Sequence, residues 1–484
     1  MNNNVKHYPC FIHGEWVDAS NGKTFDVIDP ANEQVWATIP DCSQQDVERA
    51  MQSAQEAQRA WQMLPAIERG RYILKLVEVM KPKREHFARL IVKEQGKTLA
   101  QAYGEFDDTL NYMTYAAEAA RRIQGEIFPS DAANEQIYIN RVPYGVTLGL
   151  CAYNYPLALI GRKVGPALVT GNTMVLKAHE ATPVTASEFC QCVEEAGIPA
   201  GVINLVSGAG IDVSSWLVTH PLTRLVSLTG STRAGQAIYK ASSDNVSGLV
   251  LELGGKAAFI VLEDADVDKA AEAAVASRYA NCGQVCICNE LVLIHESIAD
   301  EFTAKVVEKV KQIRVGDPMS DVDMGPSVTQ SGLDRVATMV ELSVAQGAKI
   351  EIGGGRPQGE EFAKGHWFAP TVVSEVTPEM PIAAEELFAP VMPIIKVTSL
   401  EQALEIANNR EEALSSYVYT QNVNKIMQTI NELEVGTVFV NRPITGNVQG
   451  YHSGHKRSGI GGEDGIHGIE NYLQKRVVYW SYEA

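Results

Sequence analysis

Val47, Met51, Ala54, Ala57 and Trp61 recur at spacings of three and four, which predicts an amphipathic helix beginning near Gln44. Runs rich in Ala, Leu, Glu and Lys continue to about Arg122, so this part of the chain reads as a helical layer. Between Gly145 and Leu262 the pattern changes. Short apolar runs (VTLGLC, TMVLKA, GVINLVSG, RLVSLTGS, LVLELGG, AFIVL) alternate with helical segments at Val184 to Ala196 and Arg233 to Ala241. That alternation predicts a parallel sheet with crossover helices, whose ligand lies beyond the carboxyl ends of the strands. A second alternating unit starts near Ala265, with helices at Val267 to Tyr279 and Ile298 to Ile313 and the runs LVLIH, KIEIGG, MPIIKV, SSYVYTQN and TVFVN. QIYINRVPYG and the terminal NYLQKRVVYWSY are rich in β-formers and are expected as edge strands.

A length of 484 residues favours two or three packed units, since a typical domain holds roughly 150. The balance of 41 Lys+Arg against 59 Asp+Glu leaves a formal −18, which argues against nucleic acid or an anionic membrane surface as partner. The longest uncharged stretch, Val142 to Gly161, contains Pro143, Gly145, Gly149, Asn154 and Pro156 and reads as strand, turn and loop instead of a membrane helix. The N-terminal stretch has no basic segment followed by an apolar one, and the eight cysteines include no CxxC pair. Reduced thiols in a cytoplasmic protein are therefore expected.

P-loop, G-x-G-x-x-G, G-x-S-x-G and H-E-x-x-H motifs are absent, which removes support for the chemistries they carry. NCGQVCICNE places Cys282, Cys286 and Cys288 in one loop; their spacing is wrong for zinc, and no metal is expected. The choice is between buried thiols and a nucleophile at Cys286, to which Gly283 and Gln284 give room. Glu252 closes an apolar strand, as a hydrogen-bonded structural carboxylate or as a general base. Asn154, before Tyr155-Pro156, is a turn former or an amide donor to an oxyanion. Gly230-Ser231 and Gly235 mark a strand-turn-helix whose first N–H groups suit a pyrophosphate.

Taken together, Asn154-Tyr155-Pro156, Lys177-x-x-Glu180, Gly230-Ser231-x-x-x-Gly235, Glu252-Leu253-Gly254-Gly255, Gly283-Gln284-x-Cys286, Glu385-Glu386-x-Phe388 and Lys456-x-Ser458-Gly459 resemble the NAD(P)-dependent aldehyde dehydrogenase superfamily in order and spacing. The resemblance runs from the Phe11-Ile12-x-Gly14-Glu15-Trp16 opening to the final strand. Leu64 to Arg69, Ile160-Gly161-Arg162-Lys163, Gln449-Gly450-Tyr451-His452 and Ser458 to Gly462 look most like the lactaldehyde/glycolaldehyde dehydrogenase type.

The resemblance implies an α/β fold with two doubly wound domains and a small β projection. Residues 1–122 and 144–255 would form the cofactor domain, 256–468 the catalytic domain, and 123–143 with 469–484 the strands that pair subunits into homodimers or homotetramers. It implies Cys286 as nucleophile, Asn154 as oxyanion donor and Glu252 as base for thioester hydrolysis. Lys177 and Glu180 would hold the adenosine ribose of NAD; Gly230, Ser231 and Gly235 the pyrophosphate turn; Glu386 and Phe388 the nicotinamide side. The sequence departs from the family at Ala178-His179, where Pro-Ser is usual, and at Ala389, where Gly is usual.

For the substrate, Arg162 and His452 match the lactaldehyde type, whereas its pocket Glu falls on Gly446. The expectation is an uncompensated, donor-rich patch for a short 2-hydroxyaldehyde. An anionic aldehyde such as sulfolactaldehyde or succinate semialdehyde is the alternative. Readings of other kinds are an esterase or coenzyme A-acylating relative, and a catalytically silent binding protein.

Overall fold

The computed structural model describes residues 5–483; residues 1–4 and 484, which the sequence reading assigns to the first unit and the last strand, lie outside the described part. The helical layer is present as Gln44–Met63, Ala66–Met80, Arg84–Gln95 and Leu99–Glu118. Ser43 opens the first of these and Thr98 the last, each with a reciprocal capping box to the residue three positions on.

Each apolar run after Gly145 becomes a strand. In the larger sheet the parallel strands lie in the order Gly248–Glu252, Leu225–Thr229, Val146–Leu150, Thr173–Lys177, Ile203–Leu205. Antiparallel edges are added by Gly459–Ile460 on one side and by Cys10–Ile12 and Glu15–Val17 on the other. Among the parallel strands the chain starts in the middle, at Val146–Leu150, runs outward one way and then returns to the other side. The reversal falls between Val146–Leu150 and Leu225–Thr229, where an open α/β sheet leaves a crevice at its carboxyl edge.

The second sheet orders Lys349–Ile352, Thr371–Ser374, Val391–Val397, Leu291–His295, Ala258–Val261, Ser415–Tyr419 and Thr437–Val440, parallel except for the first strand. Of the two runs expected as edge strands, Leu473–Ser481 is one and runs antiparallel to Glu135–Pro143 over its whole length, whereas Glu135–Pro143 is the middle strand of a three-stranded ribbon, because Glu126–Pro129 pairs with its other side. The uncharged stretch departs from its expectation at one end. Its last residues open the helix Pro156–Thr170, for which Pro156 at the first turn supplies a suitable φ. Among the described residues no helix is long and apolar enough to cross a membrane.

Candidate active site

After the helix Val267–Arg278, Asn281, Cys282 and Gly283 take φ values of 48, 55 and 74° in succession. A Cβ on Gly283 would lie 2.3 Å from the Ala389 carbonyl oxygen, so only glycine lets this turn close on that segment. Gln284 locks the turn: its Nε2 donates to the Asn281 carbonyl at 3.0 Å, and its Oε1 accepts from Ser327 Oγ and Val328 N. Two residues later Cys286 emerges half-buried, whereas the other cysteines, Cys282 and Cys288 included, are buried. Burial pushes the Cys286 thiol up to about 12; the Arg162 guanidinium pulls it down, and the Glu252 carboxylate pushes it further up. Cys286 therefore rests as the neutral thiol and needs a base before it attacks.

The loop sits at the amino ends of the second sheet, just before Leu291–His295, and faces the carboxyl ends of the first. Glu252 ends the strand Gly248–Glu252, and the Gly254-Gly255 that follows lets the two sheets approach. A Cβ on Gly255 would sit 3.4 Å from the Cys286 carbonyl oxygen. Glu252 is 2% exposed and, among the described residues, neither carboxylate oxygen has a hydrogen-bond partner. Burial first, and the field of Glu463 second, hold its carboxyl well above the usual range. His452 Nε2 lies 3.2 Å from Glu252 Oε2, out of line for a hydrogen bond. Burial pushes His452 down to about 3, so it is a neutral imidazole and the contact is not an ion pair.

Asn154 follows the strand Val146–Leu150. Its Nδ2 donates to the Gln284 carbonyl at 3.1 Å, which joins it to the cysteine loop and leaves its second amide hydrogen uncommitted. Its own carbonyl accepts from Lys97 Nζ and Asn281 Nδ2 at 2.9 and 3.0 Å. Lys97 is buried with Glu105, whose other oxygen accepts from the N–H groups of Leu157 and Ala158 at the start of the next helix. A buried ion pair thus fixes the Asn154 loop at both ends.

Of the proposed cofactor residues, Lys177, Glu180, Gly230, Ser231 and Gly235 end or follow strands at the carboxyl edge of the first sheet, and Glu386 and Phe388 come from the segment before Val391–Val397 of the second. Ser231 caps the helix Thr232–Ala241 by accepting from Ala234 N, and a Cβ on Gly235 would lie 2.5 Å from Leu253. Helix and strand can approach this closely only with glycine there. Lys177 ends its strand buried, with only a 3.4 Å contact to its neighbour's carbonyl, so its ammonium has donors to spare for a ribose. Burial lowers its pKa and Glu180 partly restores it. Tyr153 packs edge-on against both His179 and Phe388 and so bridges the two segments that carry them. Glu386 Oε1 accepts from Gly255 N at 2.9 Å, and burial raises its carboxyl to about 7.

Several contributors had no signal in the sequence reading. Buried Glu290, at the end of the cysteine loop, accepts from the N–H groups of Leu387 and Phe388 and from Arg278 and Lys256. It fixes the segment bearing Glu386 and Phe388, in which Phe388 holds φ 54°. Glu463 and Asp464 lie directly beyond Ser458 to Gly462 and correct one expectation. Asp464 grips Arg162 through two hydrogen bonds of 2.8 and 2.6 Å, and Glu463 Oε2 is 3.4 Å from its Nε. The guanidinium is not an uncompensated patch, because two carboxylates absent from the pocket expectation neutralise it. Gly446 lies in an open stretch with nothing within 4 Å of where a Cβ would be.

Residues 16–478 match the model of the aldehyde dehydrogenase family. A solved structure described as 3,6-anhydro-L-galactose dehydrogenase in complex with NAP superposes with a TM-score of 0.96 at 46% identity, covering 98% of this chain and 100% of that one. The lactaldehyde dehydrogenase of Escherichia coli (strain K12) is 41% identical, with 98% of each chain covered. A 3-sulfolactaldehyde dehydrogenase of Pseudomonas putida is 36% identical, covering 97% of this chain and 96% of the relative.

Proposed function

The chain belongs to the aldehyde dehydrogenase family, and from that premise we propose that it oxidises a short 2-hydroxyaldehyde, lactaldehyde or glycolaldehyde, to its carboxylic acid, with NAD as hydride acceptor and water as acyl acceptor. The observation that carries the reading is Glu252: a buried carboxyl with both oxygens unclaimed, among the charges that act on Cys286.

Cys286 Sγ attacks the aldehyde carbon once its proton has passed to water in the cleft, which leaves the Glu252 carboxylate unprotonated for the later step. The oxygen that becomes negative is met by the free Asn154 amide hydrogen and the Cys286 backbone N–H. Lys177 and Glu180, the Ser231-capped helix start, and Glu386 with Phe388 would hold the dinucleotide between the two sheets, where it would supply the hydride acceptor needed to bring the bound aldehyde to the acid oxidation level. Glu252 then removes a proton from the water that attacks the thioester carbon. Such a carboxylate favours hydrolysis over transfer to coenzyme A.

Lactaldehyde and 3-sulfolactaldehyde, named for two of the relatives, both carry a hydroxyl on the carbon next to the aldehyde. Arg162 and neutral His452 can hydrogen-bond such a hydroxyl. With Asp464 already satisfying Arg162, a second negative charge finds no spare cation there, which favours the neutral substrate. Lactaldehyde should exceed propanal in kcat/KM by about tenfold or more, the worth of roughly one hydrogen bond to a charged group. Sulfolactaldehyde and succinate semialdehyde should fall below lactaldehyde. Arg162→Ala should narrow the gap between lactaldehyde and propanal. A long apolar aldehyde as best substrate, or an unchanged gap in the variant, would contradict this pocket.

Glu180 suits the ribose hydroxyls and repels a 2′-phosphate, so kcat/KM should be higher with NAD than with NADP. Neighbouring His179 does not offset it: burial lowers His179 and favours its neutral form. A clear NADP preference would overturn this assignment.

Residues 123–143 and 469–484 are read as the subunit-pairing projection. Ile127, Phe128, Val477 and Trp480 are exposed on its ribbon and call for a partner subunit in a homodimer or homotetramer. Residues 1–122 with 144–255 are assigned to cofactor binding and 256–468 to catalysis. Eight free cysteines suit a reducing, cytoplasmic setting.

A further inference from the structure

Cys10 and Cys42 come from separate segments, the strand Cys10–Ile12 and the turn before the helix Gln44–Met63, yet their Sγ atoms lie 3.5 Å apart. Both are buried, at 2% and 4% exposure. Backbone fixes them from both sides. Phe11 pairs with Leu205, Cys42 N donates to the Ser207 carbonyl at 3.1 Å, and Ser207 Oγ donates to the Pro40 carbonyl while lying 3.2 Å from Cys10 Sγ. Neither thiol has a role in the chemistry proposed at Cys286.

A disulfide has an S–S length of about 2.05 Å, so closure needs the sulfurs to approach by about 1.5 Å. We propose that Cys10 and Cys42 are a reversible oxidation site, closed to an intramolecular disulfide by a hydroperoxide. At 3.5 Å the S–H of one thiol can donate to the sulfur of the other, so a thiolate formed in the pair is stabilised by its neighbour, and we assign the first attack to Cys42. The Cys42 thiolate attacks one peroxide oxygen; the S–O bond forms, the O–O bond breaks, and the leaving oxygen is protonated to water or an alcohol. Cys10 Sγ then attacks the Cys42 sulfur, the S–S bond forms as the S–O bond breaks, and the departing hydroxide takes the Cys10 proton as water. The sulfurs lose two electrons, and the peroxide gains them. The product ties the strand at the N-terminal edge of the larger sheet to the start of the helical layer, and a thiol reductant reverses it.

The test uses the full chain with Cys286→Ala, which removes the half-buried thiol that peroxide would also attack. The protein is titrated with hydrogen peroxide while folded, quenched, alkylated in denaturant and mapped by mass spectrometry. The expected result is a peptide pair joined through Cys10 and Cys42, abolished by dithiothreitol, with Cys190 and Cys192 still alkylated. In Cys10→Ser the link should be absent and Cys42 should be trapped as its sulfenic acid by dimedone. Recovery of Cys10 and Cys42 both alkylated after peroxide, over-oxidation of Cys42 without a link, or linkage of either to another cysteine would overturn the proposal. If Cys10→Ser does not fold, the peptide map of the Cys286→Ala chain decides alone.

Discussion

Replacing Cys286 with alanine abolishes aldehyde-dependent NADH formation, by about 10⁴-fold or more, because no other group can carry the acyl chain. Cys282→Ala and Cys288→Ala should retain measurable activity. The contrast follows from exposure, since Cys286 reaches the cleft while its two neighbours are buried against the loop's own framework. Cys288 Sγ lies 3.5 Å from the Gly283 carbonyl, and burial pushes its thiol up to about 12 with no substrate in reach. Near-normal turnover by Cys286→Ala in a steady-state assay would refute the assignment.

Glu252→Gln should slow hydrolysis of the thioester by about 10² to 10⁴-fold, the usual contribution of a positioned general base. Stopped-flow absorbance should then show a burst of about one NADH per active site followed by a slow steady rate. A general base acts as the carboxylate, and burial raises the Glu252 pKa in the folded protein. Activity should therefore fall as pH drops through that raised value, on an acid limb above the ordinary carboxylate range. The variant should lose this limb. A normal steady rate with the limb intact would remove Glu252 from the base role.

The sequence made the strands legible because each is a short apolar run closed by a turn, and a parallel strand covered on both faces leaves that pattern. It placed Glu252 and Lys177 at strand ends for the same reason, since each follows the last apolar residue of its strand, whereas Ser231 lies past its strand, which closes at Thr229, and caps the following helix. Short N-terminal strands such as Thr24–Ile28 and Val35–Pro40 were not legible, since they are half-exposed and carry mixed residues. The helix Val423–Glu432 was also missed, although Val423, Met427 and Ile430 are apolar at helical spacing, because they face outward.

In the site, the reacting residues were legible from local motifs, whereas their supports depend on distant pairings. Glu463 and Asp464 reach Lys163 and Arg162 from about three hundred positions away along the chain. Glu290 looks like an ordinary loop acid until Leu387 and Phe388 are seen to donate to it. No periodicity encodes such contacts, and the charge state of the substrate pocket turned on one of them.

The most direct test of the acyl-enzyme route is a rapid quench of Glu252→Gln mixed with lactaldehyde and NAD, followed by peptide mass spectrometry. The account predicts a lactyl thioester on the Cys286 peptide that accumulates with the NADH burst and decays at the steady rate. NADH release at the burst rate with an unmodified Cys286 peptide, or an acyl group on any other residue, would contradict it.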